Sequence, residues 1–198
     1  MHIQPLLEGN YFHIYNKGVN GEDIFKEHRN YFYFLKQYTA YCSETIETLA
    51  YSLLKSHFHM VIYTRENVEV AKHNGEGTMR LNASTQLSHF FNSYAQSINK
   101  ACRRTGPLFE SPFRRKIVED NVYLTSLICY CHYNAQRHGL VKEFKDWPFS
   151  SYQSVLKNDS NFLASQKVLD FFGGMAAFEK MHEGRIEKTV MDKFDIEK

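Results

Sequence analysis

Proline and tryptophan are scarce in this chain, with four and one among 198 residues, which excludes proline-rich linkers and collagen-like repeats. Cysteine is nearly as scarce, and Cys42, Cys102, Cys129 and Cys131 are scattered. The one close pair, Cys129-x-Cys131 followed by His132, lacks zinc-ribbon spacing. Reduced and mostly buried thiols are therefore expected, with packing as the role of that group. No apolar run reaches the roughly 18 residues of a membrane span, and the opening MHIQPLLEGNYFHI carries neither a basic leader nor a small-residue cleavage site. The expectation is a soluble cytoplasmic protein with no membrane partner. A dominant charge is lacking too: 24 Lys plus Arg face 22 Asp plus Glu, a net +2. That is too little to imply nucleic-acid binding unless the charge is unevenly distributed.

Aromatic residues, by contrast, are abundant. Sixteen Phe and thirteen Tyr bring the aromatic share to 15% and help the hydrophobic share to 43%, which excludes disorder and a coiled coil. A mass of 23.3 kDa suits one folded domain with a helical appendage. Periodicity predicts a strand over 10–19, a helix over 28–42, and one bulged or two separate strands over 45–64. Further on it predicts a short helix over 67–74, a loop at Gly75 and Gly77, and a helix over 83–103 with Leu87, Phe90, Phe91, Tyr94, Ile98 and Ala101 on its apolar side. A strand over 112–118, a helix over 121–138 capped by Asp120 or Asn121, and short helices within 165–182 and 185–196 complete the pattern. The order predicts an α+β fold in which helices flank an antiparallel sheet.

In His57-Phe58-His59-Met60-Val61-Ile62-Tyr63 alternate side chains share a sheet face. Both imidazoles therefore project together and can lean onto one ion, while Phe58, Met60 and Ile62 anchor the other face against a helix. The alternative is a pair of hydrogen-bonded or solvent-facing strand histidines. Downstream, between Gln86 and Val118, Lys100, Arg103, Arg104, Arg114, Arg115 and Lys116 face Glu110 as the lone acid. This local excess suits a phosphate backbone, and Phe109 and Phe113 within it suit stacking on unpaired bases. A solvated basic face with core phenylalanines is the competing reading. Tyr94 lies on the apolar stripe of the preceding helix, where it is either core or a phenol aimed at the sheet. His13, on the first strand, lies either near that site or simply in the sheet, and the second is the expectation.

These residues also carry a family likeness. His57-Phe58-His59 resembles the His-hydrophobic-His motif of HUH single-strand endonucleases. Ser93-Tyr94-Ala95-Gln96-Ser97-Ile98-Asn99, running on to Arg104-Thr105-Gly106-Pro107-Leu108-Phe109-Glu110, resembles the tyrosine helix and loop of single-tyrosine transposases, the REP-associated tyrosine transposases in particular. Tyr130-Cys131-His132-Tyr133-Asn134, Gly139-Leu140-Val141 and Trp147-Pro148-Phe149-Ser150-Ser151-Tyr152 are similar to that family's later helix and tryptophan-proline segment, and Tyr11 to Gly18 to its first strand. Ser56 and Asn134-Ala135 stand where the family commonly has Asn and Asn-Pro.

The resemblance spans about residues 8–155 and implies an RRM-like or ferredoxin-like HUH core over 1–155, with a helical extension over 156–198. It implies single-stranded or hairpin DNA as partner, with the nucleoid as the place of binding, and Mg²⁺ or Mn²⁺ held by His57 and His59. Tyr94 would attack the phosphodiester to give a 5′-phosphotyrosine and a free 3′-hydroxyl. The third metal ligand should lie one turn beyond the tyrosine. That place holds Ile98, and Asn99, about 140° around the helix, is the available substitute. Lys100, Arg103, Arg104, Phe109, Arg114, Arg115 and Lys116 are the expected DNA contacts, and a monomer is expected over a homodimer. The alternative function is a catalytically silent binder of structured nucleic acid.

Overall fold

The computed structural model describes residues 5–72 and 75–184. In chain order, β1 (Tyr11–Lys17), α1 (His28–Cys42), β2 (Ile46–Leu53) and β3 (His57–Thr64) are followed by a small hairpin of β4 (Glu69–Ala71) and β5 (Thr78–Arg80). Then come α2 (Ala83–Ala101), β6 (Arg114–Val118), α3 (Asn121–Arg137), α4 (Tyr152–Lys157), α5 (Ser165–Phe172) and α6 (Met175–Glu183). The main sheet is antiparallel in the order β2-β3-β1-β6. β1 to β2 and β3 to β6 are each parallel strands one position apart, so right-handed crossovers place α1 and α2 on one face. This is the expected antiparallel sheet flanked by helices.

The register follows from strand parity. Phe58, Met60 and Ile62 of β3, with Phe12 and Ile14 of β1, are buried in one cluster with Phe34 of α1 and with Leu87, Phe90, Phe91, Tyr94 and Ile98 of α2. Each large apolar side chain so buried contributes about 1.5–3 kcal/mol. A one-residue slip of β3 would turn three of them over and push His57 and His59 into the aromatic core, which fixes the register. The other sheet face carries Leu49, Ala50, Val61 and Val118, and α3 covers it with Leu124, Leu127, Ile128 and Cys131. Val155, Val168, Leu169 and Phe178 of α4, α5 and α6 join that second cluster.

Of the two alternatives for 45–64, two strands are realised, and their pairing carries an irregularity between Thr48 and Ala50. Asp120 caps α3 by accepting the Tyr123 N–H at 2.7 Å, and Gly139 ends it at φ 69°. At the end of β1, a Cβ on Gly18 would lie 2.0 Å from the Glu22 carbonyl oxygen, so the close return of the chain needs glycine. The short helix expected at 67–74 is corrected: Glu69–Ala71 pairs with Thr78–Arg80 as strands. Valines at 68 and 70 favour extended backbone there, and Gly75 and Gly77 supply positive φ at the turn. The expected helix at 185–196 lies outside the described residues. Among the described residues, no helix is long and apolar enough to cross a membrane.

A buried histidine relay ties α6 to the rest of the second cluster. His182 Nδ1 donates to the Phe178 carbonyl at 2.7 Å, which leaves its Nε2 to accept from His132 Nδ1 at 2.8 Å. His132 Nε2 then accepts the Ser151 hydroxyl at 2.8 Å, and Ser151 accepts the Tyr51 N–H at 2.9 Å. The chain of bonds requires both rings to be neutral. Cys129 Sγ also faces His182 Nδ1, at 3.8 Å, and Tyr133 donates its hydroxyl proton to the His182 carbonyl. Burial lowers the His182 pKa from the usual 6.5 to about 4. The unfolded chain therefore binds a proton between those values that the folded chain refuses, so stability present above pH 6.5 is lost as pH falls toward 4. The loss expected from this group is on the order of 3 kcal/mol. Urea midpoints at pH 7 and pH 4.5 should differ more for the wild type than for His182→Leu; equal differences would contradict the assignment.

Candidate active site

His57 and His59 project from the β3 face opposite α1 and α2, as alternation requires. Their rings are 5.4 Å apart between centroids and nearly perpendicular at 88°. β-pairing extends this face across the sheet: Tyr15 lies opposite both His59 and Arg114, His13 opposite Val61 and Lys116, and Lys17 opposite His57. Residues directly opposed in antiparallel strands share a face.

His13, expected to be an ordinary sheet residue, is part of the histidine cluster. Its Nε2 is 2.9 Å from His59 Nδ1. The ring centroids are 5.1 Å apart and the planes differ by 21°. That separation is near the largest such a nitrogen contact allows, so the rings meet head-on and nearly in plane. Burial pushes the His13 pKa down to about 3, with the nearby Lys116 charge adding to it. His59 lies well below the usual imidazole range, through burial first and then the neighbouring His13 and His57. Two neutral imidazoles share one proton here. When His59 donates from Nδ1 to His13, its Nε2 keeps a lone pair, and that buried Nε2 has no hydrogen-bond partner among the described residues.

The structure corrects the expected place of Tyr94. Tyr94 is fully buried on the other side of the sheet. Its hydroxyl donates to the Ile24 carbonyl at 3.1 Å, and its ring packs edge-on to Phe34 at 5.0 Å. Burial pushes that phenol far above the usual tyrosine range. The cause is simple packing: the apolar stripe of α2 settles on the apolar face of β3, and the histidines occupy the reverse. Asn99 is displaced with it, donating to the Gly106 carbonyl at 2.8 Å and accepting from Arg104 at 2.8 Å.

Two tyrosines do meet the histidines: Tyr15 of β1, its ring 4.7 Å from that of His13 and 6.1 Å from that of His59, and Tyr130 of α3. The Tyr130 ring lies edge-on to His59, 5.4 Å between centroids at 87°. Arg137, two turns further along, aims Nη1 at the Tyr130 oxygen from 3.4 Å. His138, at the helix end, brings its ring within 4.8 Å of the His57 ring. Asn134 lies one turn beyond Tyr130, fully buried, and neither side-chain polar atom has a hydrogen-bond partner among the described residues. Cys131 fixes the helix to the strand by donating its thiol to the His59 carbonyl at 3.5 Å.

The basic segment divides by strand parity. Arg114 and Lys116 lie on the histidine face, with Tyr15 and Lys17, and are exposed. Arg115 turns to the opposite face, where its guanidinium lies 4.1 Å from the Phe113 ring. Lys100 and Arg103 are exposed near the C-terminal end of α2, and Arg104 is tied to Glu22 at 2.9 Å. Phe109 is corrected as a base-stacking residue: it is a core residue at 8% exposure, with its ring 5.4 Å from Phe91. Its segment bridges to Gly18 as if extending the sheet, which turns the ring inward.

Among the described residues, no group of three or more His, Cys, Asp and Glu is arranged to hold a metal ion. His57 and His59 offer imidazoles beside Tyr130, and Asn134 adds an amide one helical turn from Tyr130 on the same side of α3. The unpartnered Nε2 of His59 and the unpartnered amide of Asn134 are the kind of buried polar atoms a cation would satisfy. The donor set therefore fits a divalent ion completed by water or phosphate oxygens.

No family model matches the chain. A curated protein of Haemophilus influenzae, provisionally named a REP-associated tyrosine transposase, is 24% identical over 120 residues, which cover 56% of this chain and 61% of that protein. The match thus spans less than two thirds of the relative. A solved structure of a REP-associated tyrosine transposase bound to a REP hairpin superposes with a TM-score of 0.60 at 14% identity, covering 79% of this chain and 85% of that one. The two share a fold.

Proposed function

We propose that this chain, which resembles the REP-associated tyrosine transposases in sequence and in fold, is a DNA endonuclease and strand-transferase whose nucleophile is Tyr130. The observation that carries the reading is the placing of Tyr130 edge-on against His59, whose ring also meets that of His57. Tyr130 would attack phosphorus, forming the tyrosyl phosphate as the bond to the 3′-oxygen breaks, and the departing oxygen takes up a proton. The stored phosphodiester then allows another 3′-hydroxyl to reseal the break without a nucleotide cofactor. Arg137, with Nη1 3.4 Å from the phenol oxygen, would hold that oxygen by a charge-assisted hydrogen bond.

His57, His59 and Asn134 would hold Mg²⁺ or Mn²⁺, which when bound polarises a non-bridging phosphate oxygen. His13 orients His59 for that role by accepting its Nδ1 proton. His13→Leu is expected to weaken Mn²⁺ binding about 10- to 100-fold, and His13→Gln, whose amide oxygen accepts the same bond, to restore part of it. Calorimetric titration of Mn²⁺ checks this; equal affinities for all three proteins would contradict it.

Lys17, Arg114 and Lys116, with Tyr15 among them, offer the backbone of a single strand a cationic track leading to the histidines. Tyr130 is 1% exposed, so a phosphodiester reaches it only if the end of α3, beside Gly139, shifts on binding. That burial also favours the second reading, a DNA-binding protein that no longer cleaves. Incubation with hairpin oligonucleotides carrying single-stranded flanks, in Mn²⁺, separates the two. The enzyme forms a denaturation-resistant protein–DNA adduct that EDTA suppresses, whereas tight binding with no adduct in any divalent metal identifies the binder.

A further inference from the structure

Beyond the histidine face, a cleft of about 410 Å³ opens between α2 and the segment 107–113. Its volume falls within the roughly 300–1,000 Å³ of small-molecule sites. Phe91 and Phe113 line it, their rings 5.2 Å apart. Arg115 enters it from β6, stacked over Phe113 at 4.1 Å. Its Nε is buried with no hydrogen-bond partner, and it forms no ion pair among the described residues. Glu110 also lines the cleft, but its carboxylate is engaged by Lys17 at 3.4 Å and Arg114 at 3.2 Å. On the α2 side, the exposed Asn92 amide and the Ser84 hydroxyl make no hydrogen bond with the described residues.

A buried donor on an unmatched cation is costly unless something completes it, and an anion with flat oxygens suits a guanidinium best. The aromatic wall beside it suits a planar ring, and an amide that both donates and accepts suits the edge of a base. Phosphate, ring and polar edge together describe a nucleotide. Position adds to chemistry, because β6 is the edge strand. Arg114 and Lys116 lie on its histidine face and Arg115 on its reverse, so a chain that crosses Tyr15 and Arg114 and turns around the edge arrives at the cleft.

We propose that this cleft holds one unpaired nucleotide of the DNA strand whose neighbouring segment lies on the histidine face, with Arg115 on the phosphate and Phe113 against the base. The assignment rests on the functional reading above for its ligand, DNA, but not on cleavage. It is tested in a Tyr130→Phe background, which removes chemistry from the measurement. A flanked hairpin oligonucleotide carrying 5-iodouracil at successive single-stranded positions is photocrosslinked and the protein sites are mapped by mass spectrometry. One position should crosslink to Phe113 or Phe91, and Arg115→Gln should weaken binding about tenfold by fluorescence anisotropy, with Asn92→Ala weakening it less. Crosslinks confined to the histidine face, or an unchanged affinity for Arg115→Gln, would overturn the proposal. Failure of the wild type to form an adduct would count against the nuclease reading and leave this result standing.

Discussion

Tyr130→Phe is expected to lower covalent adduct formation by roughly 1,000-fold or more, whereas Tyr94→Phe retains it. Phenylalanine keeps the ring against His59 and Arg137, so the Tyr130 variant should fold and bind DNA like the wild type while lacking the attacking oxygen. Tyr94→Phe removes only a hydroxyl that donates to the Ile24 carbonyl. Leaving that buried acceptor without its partner costs about 1–2 kcal/mol of stability and nothing in chemistry. Electrophoresis of adducts on a labelled hairpin substrate reads both variants. Loss of the adduct in Tyr94→Phe at unchanged folding would reverse the assignment.

The second large effect belongs to Tyr94, a tyrosine of the core. Tyr94→Ala should destabilise the protein by about 3–5 kcal/mol, the range for emptying an aromatic site in a packed core. Tyr94 is fully buried among Phe25, Tyr33, Phe34, Phe90 and Phe109, where five rings define the hole. Small domains have about 5–15 kcal/mol in total, so this one substitution should remove a sizeable share of the stability. Urea denaturation followed by circular dichroism checks this; a loss below about 1 kcal/mol would show that the site collapses or that Tyr94 is not core.

Much of the scaffold was legible from periodicity because most elements there have one clear apolar side. The helix expected over 28–42 spans those residues, and alternation in 57–63 separated the histidines from Phe58, Met60 and Ile62. The same alternation was enough to disqualify Tyr94. It shares its helix stripe with Leu87, Phe90, Phe91 and Ile98, and an apolar stripe packs onto the apolar face of a strand, away from the imidazoles. Tyr130 was harder to see because α3 is buried over much of its circumference, so no single stripe orients it. The usable signal was polar: Tyr130, Asn134 and Arg137 recur at helical spacing along α3.

His13 was obscured for a related reason. Its contact with His59 is a diagonal one between neighbouring strands, which depends on a register that only the folded sheet defines. Charge misled more than pattern did. Phe109 stands among basic residues in the chain, yet the bridge from its segment to Gly18 turns its ring into the core. Arg114, Arg115 and Lys116 form a single run in sequence but fall on two faces of the sheet, because an edge strand alternates like any other.

The most direct test of the account is the chemical location of the adduct. After cleavage of a flanked hairpin in Mn²⁺, trypsin and nuclease digestion should yield one peptide bearing a nucleotide through phosphotyrosine, and fragmentation should place that bond on Tyr130. A nucleotide on Tyr94, or on any other tyrosine, would contradict it.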